Sequence, residues 1–175
     1  MDDELITDRL ILRKLQKDDA ESIFKWASDP EVSRYVTWPT HERVEQTKNI
    51  LNLWIKEYEN PKTIRYGITL KENGELIGAI DVVDYVDGNP EIGYCLARRY
   101  WNNGYMSEAC NALIEYLFSI GYKVVVIEAD ENNVGSNRVI EKCGFKFTYK
   151  ETKVCSSFKP VMVTVNWYKK ENTTK

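Results

Sequence analysis

The sequence predicts a mixed α/β (α+β) fold in which a mostly antiparallel central sheet is flanked by helices. Strand-like segments are interspersed with helix-like ones, and two dipeptides, Asn73-Gly74 and Asp87-Gly88, predict tight antiparallel turns. A helix-like segment joins the strand-like residues 91–97 and 124–129, which makes those two strands parallel. With 175 residues, 43% of them hydrophobic, the chain is long enough to bury one sizeable core.

In the first part of the chain, apolar periodicity and chain breakers define the elements. Alternating apolar residues predict a strand over residues 10–15. Acidic residues suited to a first turn open a helix over 17–28, and Asp29-Pro30 ends it. Pro39 makes the following aromatic stretch a loop, and apolar residues recurring on one face predict a longer helix over 42–58.

Turn signals organise the middle of the chain. Asn73-Gly74 predicts a two-residue turn between strands over 64–70 and 75–83. Asp87-Gly88 then begins the reversal into the strand over 91–97.

The last part of the chain contains the predicted parallel crossover. Gly121 ends a helix over 107–120, and the almost continuous apolar run 124–129 predicts a central strand covered on both faces. A short helix and a terminal antiparallel strand pair follow: 136–142, 145–154 and 162–169. One domain is predicted over 1–170, and residues 171–175 are expected to form a disordered tail.

Composition and charge narrow the class of protein. A formal net charge of −3 argues against a nucleic-acid surface. Three of the first four residues are acidic, unlike a secretory signal, and no apolar run reaches the ~20 residues needed to cross a membrane. Four cysteines without a C-x-x-C pair and a single histidine predict reduced thiols and no metal site. We therefore expect a cytoplasmic protein without nucleic-acid, membrane or metal partners.

The most informative segment is the loop at residues 101–106 (WNNGYM), which precedes the helix predicted over 107–120. A loop that opens a helix presents unpaired backbone N–H groups, which bind phosphate together with the helix dipole. Gly104 permits a close approach of the backbone to a ligand. Neither a dinucleotide fingerprint nor a P-loop is present. Arg98 and Arg99 lie just before the loop and are candidates for phosphate contacts.

Three segments of the chain resemble the GNAT acetyltransferase superfamily, whose members transfer an acetyl group from acetyl-CoA to an amine. Residues 7–13 (TDRLILR) resemble its opening strand, and residues 91–96 (EIGYCL) with 100–109 (YWNNGYMSEA) resemble its CoA-binding strand and loop. Residues 133–145 (NVGSNRVIEKCGF) resemble its second CoA-contacting segment. The branch most resembled contains the ribosomal-protein N-terminal acetyltransferases. The resemblance implies a GNAT-like fold in which a splayed parallel strand pair binds CoA.

The same resemblance implies acetyl-CoA as the acetyl donor and assigns residues to it. Asn133 is a candidate for the pantetheine arm, with a turn residue as the alternative. Trp101 and Met106 depart from the family's usual loop pattern, Q/R-x-x-G-x-G/A. The other residues implied to bind acetyl-CoA are Tyr94, Cys95 and Leu96 through their backbone, and Asn102, Asn103, Gly104 and Tyr105 in the pyrophosphate loop.

Acetyl transfer to an amine needs a proton acceptor and a donor for the leaving thiolate. Glu91 resembles a family carboxylate and is the first candidate base, with a solvated strand-start residue as the alternative. Asp81 and Asp84 are weaker candidates, and water can relay the proton to any of them. Ser136 resembles a serine proposed as the acid in this branch, with a helix N-cap as the alternative. Ile140 occupies the position at which many family members carry a tyrosine that protonates the leaving thiolate.

The acceptor is implied to be a primary amine, on a protein N-terminus or a small molecule. Tyr35 and Trp38 resemble the segment lining the acceptor pocket together with Thr37 and His41, with simple packing as the alternative. Glu108 is expected to complement the helix dipole. The rival hypothesis is a non-catalytic acyl-CoA-binding or interaction module on the same fold. The sequence leaves a monomer and a homodimer open.

Overall fold

A computed structural model describes residues 2–173 and arranges them around one sheet. The sheet order is β1-β2-β3-β4-β5-β6-β8-β7, and every neighbouring pair except β5 and β6 is antiparallel. This confirms the predicted mixed, mostly antiparallel sheet. The strands are β1 (Glu4–Ile6), β2 (Leu10–Arg13), β3 (Arg65–Leu70), β4 (Leu76–Val86), β5 (Asn89–Leu96), β6 (Val124–Asp130), β7 (Lys146–Val154) and β8 (Met162–Glu171).

Helices pack on both faces of the sheet. On one face, Leu113 and Leu117 share a core with Ile80 and Ile92, and on the other Leu51 packs in a second core. Burying each such side chain stabilises the fold by about 1.5–3 kcal/mol. Among the described residues, no helix is long and apolar enough to cross a bilayer. The helices are α1 (Ala20–Ala27), α2 (Pro30–Ser33), α3 (Val44–Glu57), α4 (Tyr105–Ser119) and α5 (Val134–Lys142), with 3-10 turns at Lys17–Asp19 and Arg98–Tyr100.

The two predicted hairpin turns have different outcomes. Asp87 and Gly88 both have positive φ, 52° and 79°, between the paired residues Val86 and Asn89, so the chain reverses there as predicted, in a two-residue turn that is tighter than the sequence indicated. The prediction of a two-residue turn at Asn73-Gly74 is wrong, because five residues, 71–75, connect β3 to β4. The Asn73 side chain accepts a hydrogen bond from the Glu75 N–H at 2.9 Å, which favours an Asx turn over the tighter alternative.

Two short elements were not predicted. Strand β1 is only three residues long and has no extended pattern that could identify it. Helix α2 begins where a helix was expected to end, because Pro30 occupies its first turn and the Asp29 side chain accepts the Glu31 N–H at 3.0 Å. Asp29-Pro30 therefore both stops α1 and starts α2.

Strand β6 is central, as predicted, but it is not covered on both faces. Val125, Ile127 and Ala129 are buried, whereas Val126 and Glu128 are only half-buried. The buried residues belong to the core with α4 and α5. The other face of β6 borders the cleft described below.

The C-terminal strand continues one residue into the segment predicted as a tail. Glu171 pairs with Val124 at the end of β8, and the Asn172 N–H donates to the Lys123 carbonyl at 2.8 Å. The backbone of β6 offers this pairing, which composition alone does not reveal. The rest of the prediction, at residues 174 and 175, lies outside the described residues.

Candidate functional site

The parallel strands β5 and β6 meet at one registered pair in the described chain, Glu91 with Val126. Beyond it the two strands separate, and a cleft of about 370 Å³ opens between them. That volume is typical of a small-molecule site. The cleft is lined by residues of both strands, including Gly93, Tyr94, Cys95, Glu128 and Ala129.

The backbone of β5 presents alternate residues to the cleft. The Ala97 N–H donates to the Ile77 carbonyl on β4 at 2.8 Å, and Cys95 is in register with Ala79. Because antiparallel strands alternate, the amide of Cys95 also faces β4, while those of Tyr94 and Leu96 face the cleft. The backbone N–H of Cys95, which was expected to contact the ligand, therefore points toward β4.

Cys95 is one of the residues that line the cleft. Burial raises the pKa of the Cys95 thiol to about 12, with the nearby Asp81 acting in the same direction. The thiol therefore stays protonated and is a poor nucleophile at neutral pH.

Glu91 lies at the closed end of the cleft. Burial raises the pKa of Glu91 to about 7; Glu128 acts in the same direction, and Lys153 opposes it. The Lys153 ammonium pairs with Glu128, so both groups are held on the sheet face beside Glu91. A carboxylate with a pKa near the working pH is well suited to accept and release a proton.

The two alternative carboxylates are in different environments. The Asp81 Oδ2 accepts a hydrogen bond from the Arg65 Nε at 2.8 Å, and Arg65 also pairs with Glu57. Asp81 lines the cleft, but its charge is matched by Arg65. Asp84 is exposed, and its carboxylate accepts the N–H of the adjacent Tyr85. Of the three carboxylates, Glu91 is thus the one that is half-buried in the cleft and makes no ion pair with an arginine within residues 2–173.

Ser136 lies across the cleft on α5. The helix is capped by Asn133, whose Oδ1 accepts the Ser136 N–H at 3.2 Å, so the alternative that Ser136 is the N-cap is wrong. The side-chain oxygen of Asn133 is therefore engaged in capping α5, and Asn133 also lines the cleft. The Ser136 Oγ lies 2.9 Å from the Tyr94 hydroxyl. Sequence reasoning missed the Tyr94 side chain, although alternation along the strand places it on the same face as Leu96.

The loop at residues 101–106 forms the N-terminus of α4, outside the cleft lining. Gly104 is the N-cap with a φ of 78°, and Asn102 also has a positive φ of 61°. Side chains hold this shape from within the protein. The Trp101 Nε1 donates to the Leu96 carbonyl at 2.8 Å, the Asn103 Nδ2 donates to the Trp101 carbonyl at 2.8 Å, and Met106 is buried.

Arg9 and Glu108 brace this loop from outside. The Arg9 Nη1 donates to the Asn103 carbonyl at 3.0 Å, its Nε pairs with Glu108 at 2.7 Å, and its guanidinium lies 4.4 Å from the Tyr105 ring centroid. Partial burial pushes the pKa of Glu108 upward, but hydrogen bonds from Thr7 and Arg9 outweigh it and lower the pKa. Sequence reasoning missed Arg9, although it lies within the motif at residues 7–13.

The two arginines expected at the phosphates face carboxylates instead. Arg98 pairs with Asp29 at 2.9 Å, and Arg99 pairs with Glu75. Both guanidinium charges are therefore already paired with carboxylates of the protein.

The far end of the cleft is formed by two loops. Tyr35, Thr37 and Trp38 all line it. Trp38 also packs against Trp26, with ring centroids 6.4 Å apart, so it contributes to the core and to the cleft. His41 is buried and does not line the cleft: its Nδ1 lies 2.8 Å from the Thr47 Oγ1, and burial lowers its pKa.

The loop between β7 and β8 holds this segment in place. The Lys159 ammonium donates to the carbonyls of Ser33 at 2.8 Å, Arg34 at 2.7 Å and Val36 at 3.3 Å. The Ser156 hydroxyl donates to the Thr37 carbonyl. These contacts connect residues far apart in sequence. Over residues 2–173, no group of three or more His, Cys, Asp or Glu side chains is placed to hold a metal ion.

Comparison with known proteins relates this architecture to acetyltransferases. Residues 9–146 match the acetyltransferase (GNAT) domain family. The uncharacterized N-acetyltransferase YoaA of Bacillus subtilis is 35% identical over 145 residues, which cover 81% of this chain and 82% of that protein.

Solved structures have the same fold. A GNAT-family acetyltransferase from Bacillus anthracis superimposes with a TM-score of 0.82 at 25% identity, covering 96% of this chain and 98% of the other. The ribosomal L7/L12 α-N-protein acetyltransferase RimL, in complex with coenzyme A, gives a TM-score of 0.81 at 19% identity, covering 96% and 97%. At that identity the RimL likeness concerns the fold alone.

Proposed function

Because this chain belongs to the GNAT acetyltransferase family and is an N-acetyltransferase, we propose that it transfers an acetyl group from acetyl-CoA to a primary amine by direct attack on the thioester. The observation that carries the proposal is the opening of β5 from β6 immediately beyond Glu91. A half-buried carboxylate with a raised pKa at the end of an open strand pair suits a base beside a reacting thioester.

Acetyl-CoA is proposed to lie along β5 in place of the missing strand partner. The amides of Tyr94 and Leu96 face the cleft and are available for the thioester carbonyl and the pantetheine arm. The pyrophosphate is proposed to bind the backbone N–H groups of the loop that Gly104 opens, at the positive end of α4. Binding of CoA by the similarly folded RimL supports this donor.

In the proposed reaction, the neutral amine attacks the thioester carbonyl carbon, and the bond from that carbon to sulfur breaks. The amine proton moves to Glu91, directly or through water, and Glu91 returns it to solvent. The Ser136 hydroxyl protonates the departing thiolate and is reprotonated from solvent. Cys95 takes no covalent part, because its thiol stays protonated.

The acceptor amine is proposed to enter from the far end of the cleft, between Tyr35 and Trp38. RimL acts on a ribosomal protein N-terminus, as its name states, and a small amine fits the same proposal. We also propose one domain over residues 1–170 in the cytoplasm, as a monomer or homodimer, in which the four cysteines are free thiols.

The test has two stages. Calorimetry on ligand-free protein measures acetyl-CoA binding, for which we expect a micromolar dissociation constant. Thiol release is then followed with a panel of peptide N-termini and small amines. Binding with turnover supports the enzyme, and binding without turnover on the whole panel supports the non-catalytic acyl-CoA-binding module. Absence of binding in folded protein would refute both.

A further inference from the structure

We propose that Tyr94 is a positioning residue that orients the Ser136 hydroxyl toward the leaving sulfur. The inference rests on the proposed acetyl transfer and extends it to a side chain that the motifs leave without a role. The Tyr94 hydroxyl lies 2.9 Å from the Ser136 Oγ, and both residues line the cleft.

The fold brings these two hydroxyls together from different elements. Tyr94 packs against the core shared by β5 and α4, and Ser136 is the third residue of α5. Asn133 caps α5 and accepts the Ser136 N–H, which fixes the backbone of the serine. Ile140, one turn further along the helix, is fully buried.

Either hydroxyl can donate in the contact between Tyr94 and Ser136, and the Tyr94 hydroxyl also lies 3.4 Å from the Ser136 carbonyl, to which it can donate. Burial raises the pKa of Tyr94 far above its ordinary value, although the Ser136 hydrogen bond opposes this. Tyr94 therefore stays protonated, and in the proposed arrangement its O–H donates to the Ser136 Oγ. A serine oxygen that accepts from Tyr94 keeps its own proton free to be donated into the cleft.

This arrangement assigns Tyr94 a role when the thioester cleaves. As the bond from carbon to sulfur breaks, the Ser136 proton moves to the sulfur and negative charge develops on the serine oxygen. The Tyr94 O–H is already directed at that oxygen and strengthens its hydrogen bond as the charge grows. Water restores the serine proton after coenzyme A leaves.

A double-mutant cycle of Tyr94→Phe and Ser136→Ala tests the proposal, with thiol release as the readout. Tyr94→Phe is expected to lower kcat roughly tenfold, the effect of one hydrogen bond. The dissociation constant for acetyl-CoA and the amine KM should stay unchanged. In the Ser136→Ala background, the same substitution should have no further effect, because Tyr94 acts through Ser136.

Tyr122→Phe is the matched control, since its hydroxyl bonds only to Tyr85 in the described chain, at 3.4 Å. It should retain wild-type kcat. Additive losses in the double mutant, or an unchanged kcat in Tyr94→Phe, would overturn the proposal while wild-type turnover persists. Wild-type protein that releases no thiol with any amine would overturn the proposed function, and this inference with it.

Discussion

Glu91 and Val126 are directly opposite each other where β5 and β6 last run side by side. The pair therefore places a carboxylate at the point where the sheet opens into the cleft. An ordinary parallel ladder would continue to bond the amides beyond Glu91, and the cleft would close. The position of the proposed base and the position of the ligand groove thus have one structural cause.

Replacing this carboxylate should remove the proton acceptor while leaving the groove open. We expect Glu91→Gln to lower kcat/KM by about 10²–10⁴-fold, the usual contribution of general base catalysis. Acetyl-CoA affinity by calorimetry should stay unchanged. Glu72→Gln is the control, because Glu72 is exposed and does not line the cleft. Full activity in Glu91→Gln would eliminate Glu91 as the base.

The wild-type pH profile should report the same group. Burial raises the pKa of Glu91 to about 7, so kcat/KM should rise with pH through that value as the carboxylate forms. The acceptor must be an amine whose own pKa lies outside this window. If kcat/KM does not change between about pH 5 and 8, the assignment is contradicted. This range begins above the ordinary pKa of a glutamate and extends past the raised pKa of Glu91.

The raised pKa also predicts how stability depends on pH. A folded-state pKa above the unfolded value means that the folded protein binds more protons between the ordinary value and about 7. The Glu91 contribution to the free energy of unfolding therefore falls as pH rises through this window, by at most about 3 kcal/mol. In Glu91→Gln, the unfolding free energy measured with denaturant should decrease less over this pH window than in wild type. An identical pH dependence in the variant and in wild type would refute the prediction.

The pyrophosphate loop is tested by two glycines at opposite ends of α4. Gly104 and Gly121 both have positive φ, 78° and 107°, which a β-branched residue rarely adopts. Valine at either position should cost about 1–2 kcal/mol in unfolding free energy. Only Gly104→Val should weaken acetyl-CoA binding, by roughly tenfold or more, because a distorted loop misdirects its N–H groups. Equal affinities in the two variants would refute the loop as the phosphate site.

The sequence predicted those parts of the structure that depend on local chemistry. Asp87 and Gly88 form a two-residue turn because both residues adopt positive φ. At Asn73-Gly74 a longer turn forms instead, in which the Asn73 side chain accepts a hydrogen bond from the Glu75 N–H. The roles of Arg9 and Tyr94 depend on contacts with Asn103 and Ser136, which lie 94 and 42 residues away in the sequence. No periodicity or propensity in a single sequence encodes such pairings.

Arg9 is predicted to support acetyl-CoA binding by bracing the loop. Arg9→Lys keeps the charge but loses the planar fork that contacts both Glu108 and the Asn103 carbonyl. We expect the acetyl-CoA dissociation constant to rise roughly three- to tenfold, with kcat at saturation unchanged. Arg99→Lys is the control, since Arg99 is near the loop in sequence but pairs with Glu75. Equal affinities for Arg9→Lys and wild type would show that the brace is dispensable.

Lys159 is predicted to shape the acceptor end of the cleft. Its ammonium donates to three carbonyls of the segment that carries Tyr35 and Trp38, at 2.7–3.3 Å. Lys159→Met keeps a long apolar stem but removes these donors, so the segment should lose its fixed position. We expect the amine KM to rise roughly tenfold, while the dissociation constant for acetyl-CoA, which binds along β5, stays at the wild-type value. Lys150→Met, on an exposed lysine paired with Glu131, should change neither constant. A rise in the acetyl-CoA constant with an unchanged amine KM would place the effect of Lys159 on the donor site instead.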